Sequence, residues 1–133
     1  MRSFLRDEQL GTATAEALTA RVTLERIRAG LMLLDDAVVA LADADEMLAL
    51  ACLIAERLGL QPEDVCRAVA APSEQLLTVL CRAAGLRING FSAVLRMRCR
   101  TRGAIHSPAQ ALTAFNEMPL DTAQRMMHMA KVP

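Results

Sequence analysis

Aromatic residues are almost absent from the chain, which has three Phe, no Trp and no Tyr in 133 residues. Strands favour aromatic and β-branched side chains, and runs of either kind are scarce here, which argues against a β-sheet. Hydrophobic residues nevertheless make up 53% of the chain, and the visible pattern is dominated by Ala, Leu, Met and Arg, which favour helices. Composition therefore predicts an all-α protein.

The sequence also lacks the short motifs that accompany catalysis or nucleotide binding. No GxGxxG, P-loop, HExxH or GxSxG pattern occurs. The only histidines, His106 and His128, have no acid or thiol near them in sequence at a productive spacing. We therefore expect no enzymatic activity and no cofactor.

Cysteine spacing gives no indication of a metal site. The four cysteines are Cys52, Cys66, Cys81 and Cys99. Their separations of 14, 15 and 18 residues fit neither a CxxC motif nor a zinc ribbon. Since free cysteine behaves as a small hydrophobic residue, we expect buried, reduced thiols and no bound metal.

Neither a targeting segment nor a membrane span is evident. Residues 1–11 are charged and lack the apolar core of a signal peptide, and they are a candidate disordered segment. The most apolar stretch, residues 29–60, is repeatedly interrupted by acids, so no membrane span is expected. The prediction is one domain over residues 1–133 in the cytoplasm.

Helix-start and helix-stop residues divide the chain into six or seven short helices. The first is predicted to begin at Thr12 or Thr14 and to run to about Leu34, and Asp35-Asp36 either interrupts it or begins the next. Its apolar residues at helical spacings are Leu18, Val22, Ile27 and Leu31. Asp43 and Glu46 have the spacing of a capping box before a helix that ends at Gly59.

The remaining boundaries follow from proline and glycine. Pro62, Pro72, Ser107-Pro108 and Pro119 are predicted helix starts, Ile88 or Asn89 is another, and Gly85 and Gly103 are predicted stops. Residues 53–69 and 79–95 align at an offset of 26, each as helix, Gly-Leu turn and helix, with a looser copy near 114–127. The pattern indicates stacked helical hairpins, either HEAT-like or an irregular bundle, although Gly-Leu helix ends also arise by chance.

Charge is balanced overall but unevenly distributed along the chain. Residues 31–74 contain nine acids and two arginines, whereas residues 75–116 contain six arginines and no acid. The acidic cluster Asp43, Asp45 and Glu46 lacks the glycine and the final glutamate of a calcium-binding loop. It is therefore more typical of a solvated turn, or of a surface that meets the basic half of another copy.

The alternating arginines Arg96, Arg98, Arg100 and Arg102 are the strongest candidate binding residues. On a helix, Arg96 and Arg100 share one face and Arg98 and Arg102 share another. Three interpretations remain open: a solvated helix end, a surface for an acidic protein, or phosphate contacts.

Residues 80–95 also fit a helix-turn-helix frame, which makes nucleic-acid binding through the basic segment 82–102 the alternative function. Gly90 would weaken the recognition helix at its start, and few hydrogen-bonding side chains occupy base-reading positions. The matching hairpin carries Glu63 and Asp64 at the equivalent helix start, where DNA would be repelled. The frame is therefore more typical of packing than of recognition.

Residues 75–86, with the sequence QLLTVLCRAAGL, together with Phe91 and Leu95, resemble an uncharacterised alphaproteobacterial domain-of-unknown-function family. Its members are all-helical and HEAT-like, and residues 59–65 and 114–118 fit their C-terminal region. The resemblance covers residues 45–130 and implies the C-terminal part of longer relatives. It implies a fold, and neither an activity nor catalytic residues.

These observations together predict a protein-interaction or scaffold module that associates with itself as a homodimer. A short helical stack leaves apolar ends open, and 53% hydrophobic content is high for a small monomer. The acidic half of one copy could pair with the basic half of another, in which case added salt should weaken the dimer.

Overall fold

The computed structural model describes the backbone of residues 2–71, 73–102 and 108–131 and the side chains of residues 15–71, 73–101 and 108–129. Within these residues the chain forms eight α-helices and no strand, so the predicted all-α class is confirmed. The helices are α1 (Arg2–Arg28), α2 (Leu34–Asp43), α3 (Met47–Leu58), α4 (Pro62–Ala70), α5 (Gln75–Ala83), α6 (Ile88–Arg102), α7 (Pro108–Glu117) and α8 (Leu120–Lys131). None of these helices combines the length and apolarity that crossing a membrane requires.

The prediction of six or seven helices is too low because the region around Asp35 and Asp36 forms a helix of its own. α1 begins at Arg2, before Thr12 and Thr14, and it ends at Arg28 rather than near Leu34. The two aspartates lie in the first turn of α2, where a negative charge is stabilised by the positive end of the helix.

The two predicted Gly-Leu turns are confirmed and share one geometry. Gly59 and Gly85 have φ of 69° and 84°, in the left-handed region that favours glycine. The following leucine then bonds backward in both turns: the Leu60 N–H donates to the Ala55 carbonyl at 2.9 Å, and the Leu86 N–H donates to the Cys81 carbonyl at 3.2 Å. This bond reverses the chain at the end of α3 and after α5.

The predicted capping box at Asp43 and Glu46 is wrong. Asp43 is the last residue of α2, and the Glu46 side chain, at the N-cap of α3, makes no capping hydrogen bond. The connecting Asp45 takes a positive φ of 55°, which ends α2 by a tight turn before α3 can begin. A capping interaction occurs instead at α4, where the Gln61 N–H donates to Asp64 Oδ2 at 3.4 Å.

Other predicted boundaries agree with the structure to within a few residues. α4 begins at Pro62, α6 at Ile88 and α7 at Pro108, and α8 begins one residue after Pro119. α5 begins at Gln75, after the predicted start at Pro72. Pro72, Gly103 and Ser107 themselves lie outside the described residues.

α6 lies at the centre of the fold and packs against α2, α4, α5 and α7. Its Phe91 ring stacks on the Phe115 ring of α7, with centroids 4.4 Å apart and planes 8° from parallel. Both rings are buried. Most of the other buried side chains are Ala, Leu or Val, and the alanines allow helix axes to approach closely.

The N-terminus of α6 is capped by a residue from a different helix. Asp35 Oδ1 accepts from the Arg87 N–H at 2.8 Å and from the Gly90 N–H at 3.0 Å. Asp35 is largely buried, so the carboxylate takes the place of water on two amides that have no partner within the helix. Gly90 permits this approach, because a Cβ there would lie 2.3 Å from Asp35 Oδ1.

Candidate interaction surfaces

The acidic and basic segments meet each other within the chain, along the contact between the end of α2 and α6. Arg96 Nη2 lies 3.5 Å from Asp43 Oδ1, and Arg100 Nη2 lies 2.9 Å from Asp45 Oδ1. All four side chains are about half exposed. Four of the seven residues predicted to form an interaction surface are therefore already paired with one another.

Arg98 has a structural role, because its guanidinium is buried against the end of α4. Its Nη1 donates to the Val69 carbonyl at 2.8 Å, and its Nη2 donates to the Ala71 carbonyl. The side chain is only 5% exposed. A cation at a helix C-terminus satisfies carbonyls that lack intrahelical donors and is stabilised by the negative end of the helix.

Arg100 and Arg82 repeat this arrangement at two further helix ends. Arg100 Nη2 donates to the Ala42 carbonyl in the last turn of α2 at 2.6 Å. Arg82 Nε donates to the Met118 carbonyl after α7 at 2.8 Å, and its guanidinium carbon lies 5.4 Å from the centre of the Phe115 ring. Three arginines of the basic segment thus cap the C-termini of α2, α4 and α7.

Arg96 pairs with Asp43 and, at 56% exposed, is more open to solvent than Arg100 at 41%. Glu46 is half-buried at the start of α3, and the Arg102 side chain lies outside the described residues. α6, the recognition helix of the helix-turn-helix interpretation, is enclosed by four other helices. Phe91, Val94 and Leu95 face the core and leave a narrow exposed strip that includes Arg96.

α1 carries apolar side chains on two opposite faces. Ala20 is buried, and Leu24 and Ile27 pack half-buried against the core on the side where α1 contacts α3. Leu18 and Val22 point about 160° away from Ala20 around the helix and are 54% and 55% exposed. The sequence pattern grouped these two residues with Ile27 at helical spacings, whereas the structure places Ile27 on the opposite face, against the core.

A second apolar surface lies between α5 and α8. A groove of about 450 Å³ is lined by Ala71, Ser73, Gln75, Leu76, Val79, Met126 and Met127. Leu76 and Met126 are exposed, and the neighbouring Met129 is 74% exposed. Unbranched methionine side chains adapt to irregular partners, so this groove is also suited to a peptide or a helix.

The thiols and histidines do not form a reactive centre in the part of the chain that is described. All four cysteines are free; Cys81 is buried, whereas the other three are half-buried, less than predicted. Burial raises the pKa of the Cys81 thiol far above its usual range and raises the pKa of the Cys52 and Cys66 thiols as well, which disfavours the nucleophilic thiolate. His128 is exposed, His106 lies outside the described residues, and no group of three or more His, Cys, Asp or Glu side chains in the described residues could bind a metal ion.

Sequence reasoning did not predict two long-range contacts of the basic segment, namely the cap that Asp35 forms on α6 and the bond from Arg82 to the Met118 carbonyl. Asp35 and Arg82 reach partners 52 and 36 residues away, so no local spacing reveals them. The second face of α1 did leave a signal, since Leu18 and Val22 lie on the opposite side of a helix from Ala20, Leu24 and Ile27.

Comparison with known families gives a match along most of the chain. Residues 3–130 match DUF2336, a family described as an uncharacterised protein conserved in bacteria. The match extends well before residue 45, where the resemblance was expected to begin. No curated protein and no solved structure shows significant similarity to the chain.

Proposed function

We propose that this chain, which belongs to the DUF2336 family, is a protein-interaction module that associates with itself. The observation that supports this most directly is the second apolar face of α1, where Leu18 and Val22 are more than half exposed. A helix with apolar side chains on two opposite faces is suited to lie between two partners rather than at an edge.

Light scattering over a range of protein concentrations tests this proposal. We expect the mean mass to rise from that of a monomer toward that of a dimer as concentration increases, because association follows mass action. A constant monomer mass at every concentration would contradict self-association.

Repeating the measurement at about 0.05 M and about 0.5 M salt separates two modes of association. Pairing of acidic and basic halves would be lost at high salt, since exposed charge pairs are screened. Arg96 and Arg100 already have Asp43 and Asp45 as partners within the chain, so we expect the apolar face to dominate and the salt effect to be modest.

We further propose that the helices form HEAT-like stacked hairpins. The support is the repeated turn at Gly59-Leu60 and Gly85-Leu86, where glycine takes a positive φ and leucine bonds to a carbonyl five residues back. The four free thiols suit a reducing compartment such as the cytoplasm, which we propose as the location.

Nucleic-acid binding through residues 82–102 is the weaker proposal. Arg87 and Arg96 are exposed and could contact phosphates, whereas Arg82, Arg98 and Arg100 donate to helix carbonyls. If nucleic acid is the ligand, Arg96→Ala should reduce retention of a DNA or RNA probe at low salt. Absence of any retention by the unaltered protein would eliminate this role.

A further inference from the structure

We propose that the partner of α1 is α1 of a second copy, packed antiparallel about a two-fold axis that passes near Val22. This inference rests on the proposed self-association and specifies its surface and its orientation. The contact stripe consists of Ala15, Leu18, Val22 and Ala29, which recur every three, four or seven residues on the outward face. All four are exposed, and all are small or apolar.

Two charged residues beside this stripe make it self-complementary. Arg21 and Glu25 lie one turn apart on the same flank of α1, and both are exposed. Neither has an ion pair with another described side chain, in contrast to Arg28, which pairs with Glu56 at 2.8 Å. Two opposite charges on one flank, without an ion-pair partner among the described side chains, are therefore available to a second copy.

The order of these charges selects the antiparallel orientation. Antiparallel pairing about a two-fold axis brings the same flank of both helices together in reverse order, so Arg21 lies opposite the partner's Glu25 and the reverse pair also forms. Parallel pairing would instead bring this flank against the opposite flank of the partner helix, so the two reciprocal pairs of Arg21 with Glu25 could not form. The antiparallel dimer is therefore the orientation that uses both charges twice.

The same register also covers the apolar residues. With the axis near residues 22 and 23, Val22 packs on the partner's Val22, and Leu18 packs near the partner's Ala29. Leu31 is 72% exposed just beyond α1, so the apolar surface continues past the end of the helix. One helix pair is smaller than the interfaces of about 1,200–2,000 Å² found in stable complexes, so we expect a dimer that dissociates on dilution.

Charge reversal in two separate variants tests the surface. Arg21→Glu gives a copy with two carboxylates on this flank, and Glu25→Arg gives a copy with two guanidinium groups. Each variant alone should raise the dimer dissociation constant about tenfold, because two attractive pairs become repulsive. An equal mixture should associate at least as tightly as the unaltered protein, since every pair in the mixed dimer is attractive.

A matched control is Leu76→Glu, which places a charge on the other exposed apolar surface, in the groove between α5 and α8. This substitution should leave the dissociation constant unchanged. A different result would place the interface in the groove: the unaltered protein dimerises, Leu76→Glu abolishes the dimer, and the two charge variants leave it unchanged. The α1 pairing would then be wrong, while self-association stands. If the unaltered protein remains monomeric, both proposals fail.

Disulfide formation tests the orientation. Leu18→Cys and Ala29→Cys, mixed and exposed to a mild thiol oxidant, should give a covalent mixed dimer, because antiparallel pairing places residue 18 beside the partner's residue 29. Each variant alone should form far less, since its two copies lie about 15 Å or more apart along the axis. The unaltered protein measures the background from its own cysteines. Efficient cross-linking by each variant alone would indicate a parallel pair and overturn the proposal.

Discussion

α6 and α1 are both long helices, yet they are fixed to the fold in opposite ways. α6 packs on four other helices, and its ends and side chains are tied to them by Asp35, Arg98 and Arg100. α1 spans 27 residues, about 40 Å, and packs on α3, whose 12 residues span about 18 Å. An exposed ion pair between Arg28 and Glu56 links it to α3.

The charged residues around α6 and those on α1 have different roles. Buried polar groups require partners, and in the described residues no buried side-chain nitrogen or oxygen lacks a hydrogen bond. Around α6 the charged residues provide those partners, so they specify packing. Among the described side chains of α1, the outward Leu18 and Val22 and the charged Arg21 and Glu25 have no such role, which leaves them available for association.

The largest effect should come from removing the buried arginine of α6. Arg98→Ala leaves the Val69 and Ala71 carbonyls without their donor and opens a space in the core. We expect the free energy of unfolding to fall by about 3 kcal/mol, measured by urea denaturation. The control Arg96→Ala removes an exposed arginine of the same helix and should cost less than about 0.5 kcal/mol. Equal costs for the two variants would mean that the Arg98 hydrogen bonds contribute little.

A second test separates local helix preference from the cap at α6. Helix propensity alone predicts that Gly90→Ala stabilises the protein by up to about 1 kcal/mol. The added Cβ would instead displace Asp35, which can move only by losing its bonds to the Arg87 and Gly90 amides. We therefore expect a loss of about 2 kcal/mol in the free energy of unfolding.

The double variant Gly90→Ala with Asp35→Ala provides the control for this mechanism. Both substitutions remove the same cap, so the double variant should cost clearly less than the sum of the single variants in denaturation measurements. Strict additivity would show that Gly90 acts independently of Asp35.

Much of the fold could be predicted because its signals are local. The left-handed glycines Gly59 and Gly85 and the prolines Pro62 and Pro108 act within one helical turn, so their effects appear directly in the sequence. The errors arose where a distant partner decided the structure. Asp43 and Glu46 have capping-box spacing, but the turn at Asp45 and the pairs with α6 direct Asp43 elsewhere.

The candidate surface was predictable only in part, for a related reason. The uneven charge distribution singled out Arg96, Arg100, Asp43 and Asp45 as candidate binding residues, and the structure pairs them with one another within the chain. The distribution of charge along a sequence does not determine whether opposite charges pair within one chain or between two chains. The sequence likewise shows that Leu18, Val22 and Ile27 are apolar and recur at helical spacings. The position of α3 decides that Ile27 faces the core and that the other two face outward.

The smallest predicted effect concerns the attachment of α1 and its dependence on pH. Burial raises the pKa of the Glu16 carboxyl above its ordinary value of 4.5, and the negative charge of Glu46 adds to the shift. The folded state therefore binds this proton more tightly than the unfolded state does. As pH rises through the window from 4.5 to the higher folded-state pKa, ionised Glu16 becomes a cost to folding, and that cost persists at neutral pH.

Glu16→Gln removes this cost while keeping the shape of the side chain. The variant should be more stable than the unaltered protein at neutral pH, and the difference should shrink as pH falls through the window above 4.5 and be nearly lost below 4.5. Denaturation at several pH values measures the global effect, and hydrogen exchange of α1 amides shows whether the gain is local to this helix. Glu25→Gln, an exposed change on the outward face of α1, serves as the control and should show no comparable pH-dependent gain in monomer stability. If the stability gained by Glu16→Gln instead grows as pH falls, the pH dependence is opposite to the one expected. The carboxylate, rather than its protonated form, would then favour the contact of α1 with α3.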